Sequence, residues 1–146
     1  EKFNLSFVNQ NGEKEKPVVI HRAVFGSFER FIGILVENYQ GAFPLWLSPV
    51  QVKILNLTER NQKYAEKIYK ELKDSGIRVE LDDTNETVGK KIREAEIQKI
   101  PYILVIGDRE RKNDSVAVRK RSKGDLGAMK LKKFIEKIQE EIENKK

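Results

Sequence analysis

Residues 99–121 (KIPYILVIGDRERKNDSVAVRKR) hold the side chains of this chain best suited to chemistry. Between Arg109 and Lys123 stand seven Lys or Arg and only two acids, Glu110 and Asp114, so this window carries +5 of the chain's net +6. Cations at that density meet a polyanion, and phosphate groups are the obvious candidates. The run 115–121 alternates, sending Val116, Val118 and Lys120 to one side and Ala117, Arg119 and Arg121 to the other. Arg119 can therefore face outward to a ligand while the valines face a core. No cysteine and a single histidine, His21, exclude a thiol nucleophile, a disulfide scaffold and a cysteine-bound metal, and one histidine cannot form a metal site alone.

The elements that position this stretch can be read from apolar periodicity. Of 146 residues, 38% are hydrophobic and 36% charged, polar for a globular chain but clustered enough for a core. Residues 102–106 form an unbroken apolar run, the length of a strand buried on both faces. Before them, 50–57 predicts a strand with Val52 and Ile54 on one face and Leu55 on the other, and 77–81 a second strand. Residues 58–74 predict a helix with Tyr64, Ala65, Ile68, Tyr69 and Leu72 inward and Gly76 past its end. A helix over 87–99, with Val88, Ile92 and Ala95 inward, stops before Pro101. A last helix over 129–143 carries Leu131, Phe134, Ile135, Ile138 and Ile142 on one stripe. The order β-α-β-α-β-β-α predicts an α/β fold, a mixed sheet flanked by helices with parallel strands in its first half. Upstream, 3–8 and 17–20 read as two strands joined by the turn at Asn9–Gly12, followed by a helix from Ser27 to about Tyr39. A boundary falls near residue 42, giving regions 1–41, 42–49 (a linker) and 50–146. No signal peptide or membrane-spanning run is present, and the start at Glu1 reads as mid-strand, which suggests a piece of a longer, cytoplasmic protein.

The string His21-Arg22-Ala23-x-x-Gly26-Ser27-x-Glu29-Arg30-Phe31-x-Gly33-Ile34-Leu35 narrows the reading. It resembles motif 3 of class II aminoacyl-tRNA synthetases, and within them the threonyl-tRNA synthetase family. Downstream, Asn85-Glu86-x-Val88-Gly89-x-Lys91-Ile92-Arg93, Gly107-Asp108-x-Glu110, Val116-x-Val118-Arg119-x-Arg121 and Asp125-Leu126-Gly127 are similar to the anticodon-binding domain of the same family, in the same order. The resemblance implies that 1–41 is a strand-strand-helix remnant of an antiparallel catalytic domain and that 50–146 is a class IIa anticodon-binding domain.

It also implies roles. Arg30, with Ser27 at the corner before it, would meet ATP phosphates, where a permanent cation and a glycine corner suit the nucleotide. His21 stands at the position of a zinc ligand whose partners lie outside this chain. A full-length enzyme would use zinc and Mg-ATP and be a homodimer; the chain alone is expected to be monomeric, to hold neither cofactor and to catalyse nothing. Its partner would be the anticodon loop of tRNA(Thr), with no membrane role. Threonine codons are ACN, so the anticodon is NGU and the reader must recognise G and U. Guanine's pairing edge calls for a carboxylate and uracil's carbonyls for a donor, on bases splayed out of a loop. Glu110 matches the family's guanine reader, Arg119 its uracil reader, and Asn85 a polar residue near the same bases, with Arg121 alongside. Lys112, Lys120, Arg121 and Lys123 are then backbone phosphate contacts or solvated charges. Two other classes compete: an anticodon-like module that binds another nucleic acid or a protein, and a small flavodoxin-like enzyme. The latter lacks a glycine-rich loop after its first strand, where Leu57-Thr58-Glu59-Arg60 stands.

Overall fold

A computed structural model describes residues 4–145. The chain divides into two compact units, Glu1–Ile34 and Leu35–Lys146. In the first, β1 (Phe7–Val8) and β2 (Lys14–Glu15) pair antiparallel, Phe7 opposite Glu15. Asn9 builds the turn: its Oδ1 accepts from the N–H groups of Asn11 and Glu13 at 2.9 and 3.0 Å, and Gly12 supplies a φ of +80°. Phe3 lies outside the described residues. The expected returning strand at 17–20 does not form; the chain returns two residues after the turn instead. Pro17 has no N–H to give a ladder, and no strand among the described residues lies beside Val18, Val19 and Ile20, which stay exposed. Helix α1 (Phe28–Tyr39) begins where Ser27 Oγ accepts the Arg30 N–H and runs on into the second unit. It ends where Gln40 and Gly41 both take positive φ.

The second unit is a five-stranded sheet between helices. Strands β3 (Val52–Asn56), β4 (Val79–Asp82), β5 (Tyr102–Ile106), β6 (Val116–Lys120) and β7 (Gly124–Met129) lie in the order β4-β3-β5-β6-β7. β3 runs parallel to β4 and β5, while β6 and β7 follow antiparallel. Alternation along the strands fills two cores. Val52, Ile54, Leu104, Ile106, Val116 and Val118 meet Ala65, Ile68 and Leu72 of α2 (Gln62–Asp74), and Phe134 and Ile138 of the last helix (Leu131–Glu143). Leu55 and Ile103 point the other way, onto Ala95 of α3 (Val88–Ile97) and Ile100. α2 closes with Gly76 N–H on Lys73 C=O and Ile77 N–H on Leu72 C=O, the double bond of a Schellman end, with Gly76 at φ +79°.

Three further features depart from the sequence reading. The excursion after Gly107 winds into a short helix, α4 (Asp108–Lys112), and the last helix is therefore α5. β7 forms from GDLGAM, two glycines and an aspartate among six residues, because the outer edge of β6 is open to pair with. In α3 the inward face is turned by a position, so Val88 is exposed and Lys91 is buried instead. The connections set up one further point. From β3 the chain goes to β4 on one side, then crosses by α3 to β5 on the other. The crevice between the β3 and β5 exit loops is thus a topological switch point, where open α/β sheets bind ligands.

Candidate nucleic-acid interface

Glu110 sits at that crevice. It lies on the first turn of α4, and its Oε2 accepts the Gly107 N–H at 2.9 Å, which fixes the carboxylate at the carboxyl end of β5. No donor among the described residues reaches the other oxygen, which is left to accept from a ligand. Gly107 makes this possible. A β-carbon there would fall 2.9 Å from Glu110 Oε2 and 3.4 Å from Leu57 Cδ1.

Asn85 lies on the exposed loop after β4, beside a cavity of about 70 Å³ that Asn56, Leu57 and Thr58 also line. β4 and β5 run parallel on either side of β3, two strand spacings or ~10 Å apart, so Asn85 and Glu110 follow strands that end at the same end of the sheet. The loop is fixed from beneath. Asp82 Oδ1 accepts from the Thr84 hydroxyl at 2.6 Å and the Thr84 N–H at 3.1 Å. Lys91 Nζ donates to the carbonyls of Asn56 at 2.9 Å and Asp82 at 3.2 Å, and stands 3.4 Å from Asp82 Oδ1. Burial pushes the Asp82 carboxyl up, but Thr84 and Lys91 outweigh it and hold the carboxyl below the ordinary range.

Arg119 occupies a different place. On β6 it pairs with Ile103, four residues before Gly107, which puts it ~13 Å back along the sheet from the Glu110 end. It faces the α3 side, over a shallow pocket of about 120 Å³ with Ile100 and Ile103 among its lining residues. Glu96 and Asp125 flank its guanidinium at 3.9 and 4.0 Å. Those distances orient a charge without using its donors, so the fork remains available to a ligand. Arg121 lines the same pocket, but its own donors go to the carbonyls of Lys99, Ala42 and Phe43.

Lys120 lies on the opposite face and is not available to phosphate. Its Nζ binds both oxygens of Glu141 at 2.8 Å and stands 5.0 Å from the centre of the Tyr102 ring, whose hydroxyl also donates to Glu141. Burial lifts the Tyr102 hydroxyl to about 12. For Lys120 and Glu141 burial opposes the charged form, but their mutual pairing wins: the lysine is raised and the glutamate lowered. Lys112 and Lys123 are exposed and uncommitted.

Within the first unit, His21, Ser27 and Arg30 are all exposed. Ser27 serves as the cap of α1, which leaves the Arg30 side chain beside a corner formed by Gly26 at φ +78°. His21 is different: no group of three or more His, Asp or Glu among the described residues could hold a metal, so the residues present do not make up a zinc site.

Residues 51–141 match the family model described as the anticodon binding domain. The chain belongs to this family. Among curated relatives, the threonine--tRNA ligase of Clostridium tetani is 55% identical over 145 residues, and that of Desulforamulus reducens 58% over 145. Each match covers 99% of this chain, which spans 23% of the length of either relative. Among solved structures, the RNA binding domain of threonyl-tRNA synthetase from Cryptosporidium parvum superposes with a TM-score of 0.74 at 34% identity, over 95% of this chain and 35% of that one. A prolyl-tRNA synthetase from the same organism shares the fold, with a TM-score of 0.68 at 23% identity over 97% of this chain and 31% of its own. In this anticodon-binding domain, the motif strings contain Lys91, Gly107 and Asp125, but sequence reasoning gave none of them a role: Lys91 and Gly107 hold the loops, and Asp125, with Glu96, flanks Arg119.

Proposed function

We propose that this chain is the anticodon-reading part of a threonine--tRNA ligase, joined to the tail of its catalytic domain. In this reading 1–41 belong to the catalytic domain, 42–49 are the linker and 50–146 bind the anticodon loop of tRNA(Thr). The parent enzyme ligates threonine to tRNA with Mg-ATP in the cytoplasm, as a homodimer that also holds zinc. His21 would be one zinc ligand and Arg30 a contact to the ATP phosphates, Ser27 fixing the corner between them. The chain alone is a monomeric RNA binder without catalysis. The exposed apolar run at Val18–Ile20 is then surface that the rest of the catalytic domain covers.

The observation that carries the reading is the pairing of one uncommitted acceptor with one uncommitted donor fork on the same sheet. Glu110 offers its free oxygen to the N1–H and amino group of guanine. Arg119 offers its guanidinium to the carbonyls of uracil, over an apolar floor that suits a splayed base. Asn85 borders the Glu110 end, and Lys112 and Lys123 take backbone phosphates. A non-tRNA module has no need of this carboxylate and guanidinium.

The test is binding of synthetic anticodon stem-loops varied one base at a time. The chain should prefer G at the centre and U at the third position and be indifferent to the first. Glu110→Ala should cost about 1–3 kcal/mol of discrimination at the central base alone, the worth of one well-formed base contact. An unchanged preference between G and A there would remove Glu110 from the site.

A further inference from the structure

Arg121 lies one residue past β6 and two from Arg119, on the same face, yet its side chain is used quite differently. Its Nη2 donates to the carbonyls of Phe43 at 2.7 Å and Ala42 at 3.2 Å, and its Nη1 to that of Lys99. Lys99, in turn, sits in the left-handed region at φ +56° and donates Nζ to the Gln40 carbonyl. Two cations therefore hold three carbonyls of the connector that follows α1. Gln51 and Arg78 secure its other half, through the carbonyls of Leu45, Trp46 and Ser48.

What sets Arg121 apart is its missing counter-charge. The other buried or half-buried cations of β3, β6 and α3 each have a carboxylate nearby: Lys53 has Glu80, Lys91 has Asp82, Lys120 has Glu141, and Arg119 has Glu96 and Asp125. Among the described residues none lies within 4.0 Å of Arg121, which is nonetheless half-buried. Carbonyl dipoles orient a guanidinium but do not neutralise it, and a partly desolvated, uncompensated charge is costly to keep. Burial draws its pKa down, although a guanidinium stays charged at any working pH. The side chain also lines the pocket under Arg119.

We propose that Arg121 couples RNA binding to the order of the connector: a backbone phosphate lodged in the pocket beside Arg119 supplies the counter-charge Arg121 lacks and tightens its hold on Ala42 and Phe43. This rests on the reading of the Arg119 face as an RNA surface. Linkage makes the effect reciprocal, so a loosened connector weakens RNA binding and bound RNA stiffens the connector. Arg121 acts on the phosphate backbone and so adds affinity without base preference.

The experiment uses this chain, an anticodon stem-loop of tRNA(Thr), and the variants Arg121→Met and Arg121→Lys. Amide hydrogen exchange over 42–48 is followed with and without RNA, alongside emission of Trp46, the chain's only tryptophan and part of the connector. In the unaltered chain the stem-loop should slow connector exchange about tenfold, within the usual range of coupling between sites. Arg121→Met should exchange faster when free, lose the RNA-induced slowing, and bind all anticodon variants more weakly by one common factor. Its log affinity against log salt should flatten by about 0.7, one single-strand phosphate contact. Arg121→Lys should keep the salt slope but not the slowing, because an ammonium cannot span three carbonyls as a planar fork does. Persistent RNA-induced slowing in Arg121→Met overturns the coupling, and so does a change in base preference, which makes Arg121 a base reader. Failure of the unaltered chain to bind any stem-loop overturns the RNA reading itself, a result distinct from binding without connector slowing, which overturns only the coupling.

Discussion

At the scale of single residues, Glu110 depends on what Gly107 lacks. The β-carbon of an alanine at 107 would meet the far end of a flexible side chain, and the backbone there, at φ −118°, accepts any residue. Gly107→Ala should therefore change unfolding free energy by less than about 1 kcal/mol while displacing the Glu110 carboxylate. Its discrimination between stem-loops should fall nearly as far as that of Glu110→Ala; full discrimination in a folded Gly107→Ala would mean the carboxylate is not held by that N–H. The outward direction of Arg119 was legible in the sequence because strand alternation determines which way a side chain points, whereas Glu110, on no strand, was singled out only through the resemblance of Gly107-Asp108-x-Glu110. The role of Gly107 was not legible, since a close approach between neighbours in space leaves no pattern in the chain. Lys91 was hidden for a different reason. A lysine in a polar helix reads as solvated, and only the geometry of two strand ends reveals three oxygens waiting for it.

Elements are joined by charge as well as by apolar packing, and pH reports on this. Glu141 ties α5 to β5 and β6 through Tyr102 and Lys120. Its folded pKa lies below the ordinary 4.5, as that of Asp82 lies below 3.8, so their stabilisation is present above those values and is lost as pH falls through the lower folded ones. Lys120 above 10.5 and Tyr102 at about 12 hold their protons more tightly when folded, so their contribution is full below about 10 and fades as pH rises toward 12. Urea midpoints against pH should thus form a plateau with losses at both ends. Glu141→Gln should lower the plateau by about 1–3 kcal/mol, the usual worth of hydrogen bonds to charged groups, and flatten both limbs. An unaltered alkaline limb in that variant would detach Lys120 and Tyr102 from Glu141. The strands and long helices of this unit were legible because each has an apolar period. α4 and β7 were not: five charged residues have no stripe, and a glycine-rich strand exists only because β6 offers an edge. Val18–Ile20 show the converse, a strong strand signal unrealised where no strand among the described residues lies alongside to pair with it.

Across the whole molecule, charge is concentrated where the proposed reader lies, with +5 of the net +6 between Arg109 and Lys123. The structure trims that count, since Lys120 is neutralised by Glu141 on the opposite face. Stem-loop affinity should fall steeply with salt, log affinity losing about 0.7 per phosphate contact for each decade. Lys112→Gln and Lys123→Gln should each flatten the slope by one contact, whereas Lys120→Gln should leave it unchanged; an equal effect of all three would return Lys120 to the RNA surface. The mixed sheet with its parallel first half was legible from the order of periods, and the two-faced core from alternation. Which cations are spent inside was not, because partners such as Lys120 and Glu141, 21 residues apart, meet only in the folded arrangement. That distinction gives Lys91 an unplanned use. With 2% of its side chain exposed, its amine is sealed from solution while most of the chain's lysines are open to acylation. A brief pulse of an amine-reactive reagent should leave Lys91 unlabelled for as long as α3 stays seated on β3 and β4, so the appearance of label at that one position, followed by mass spectrometry, marks the opening of this part of the sheet.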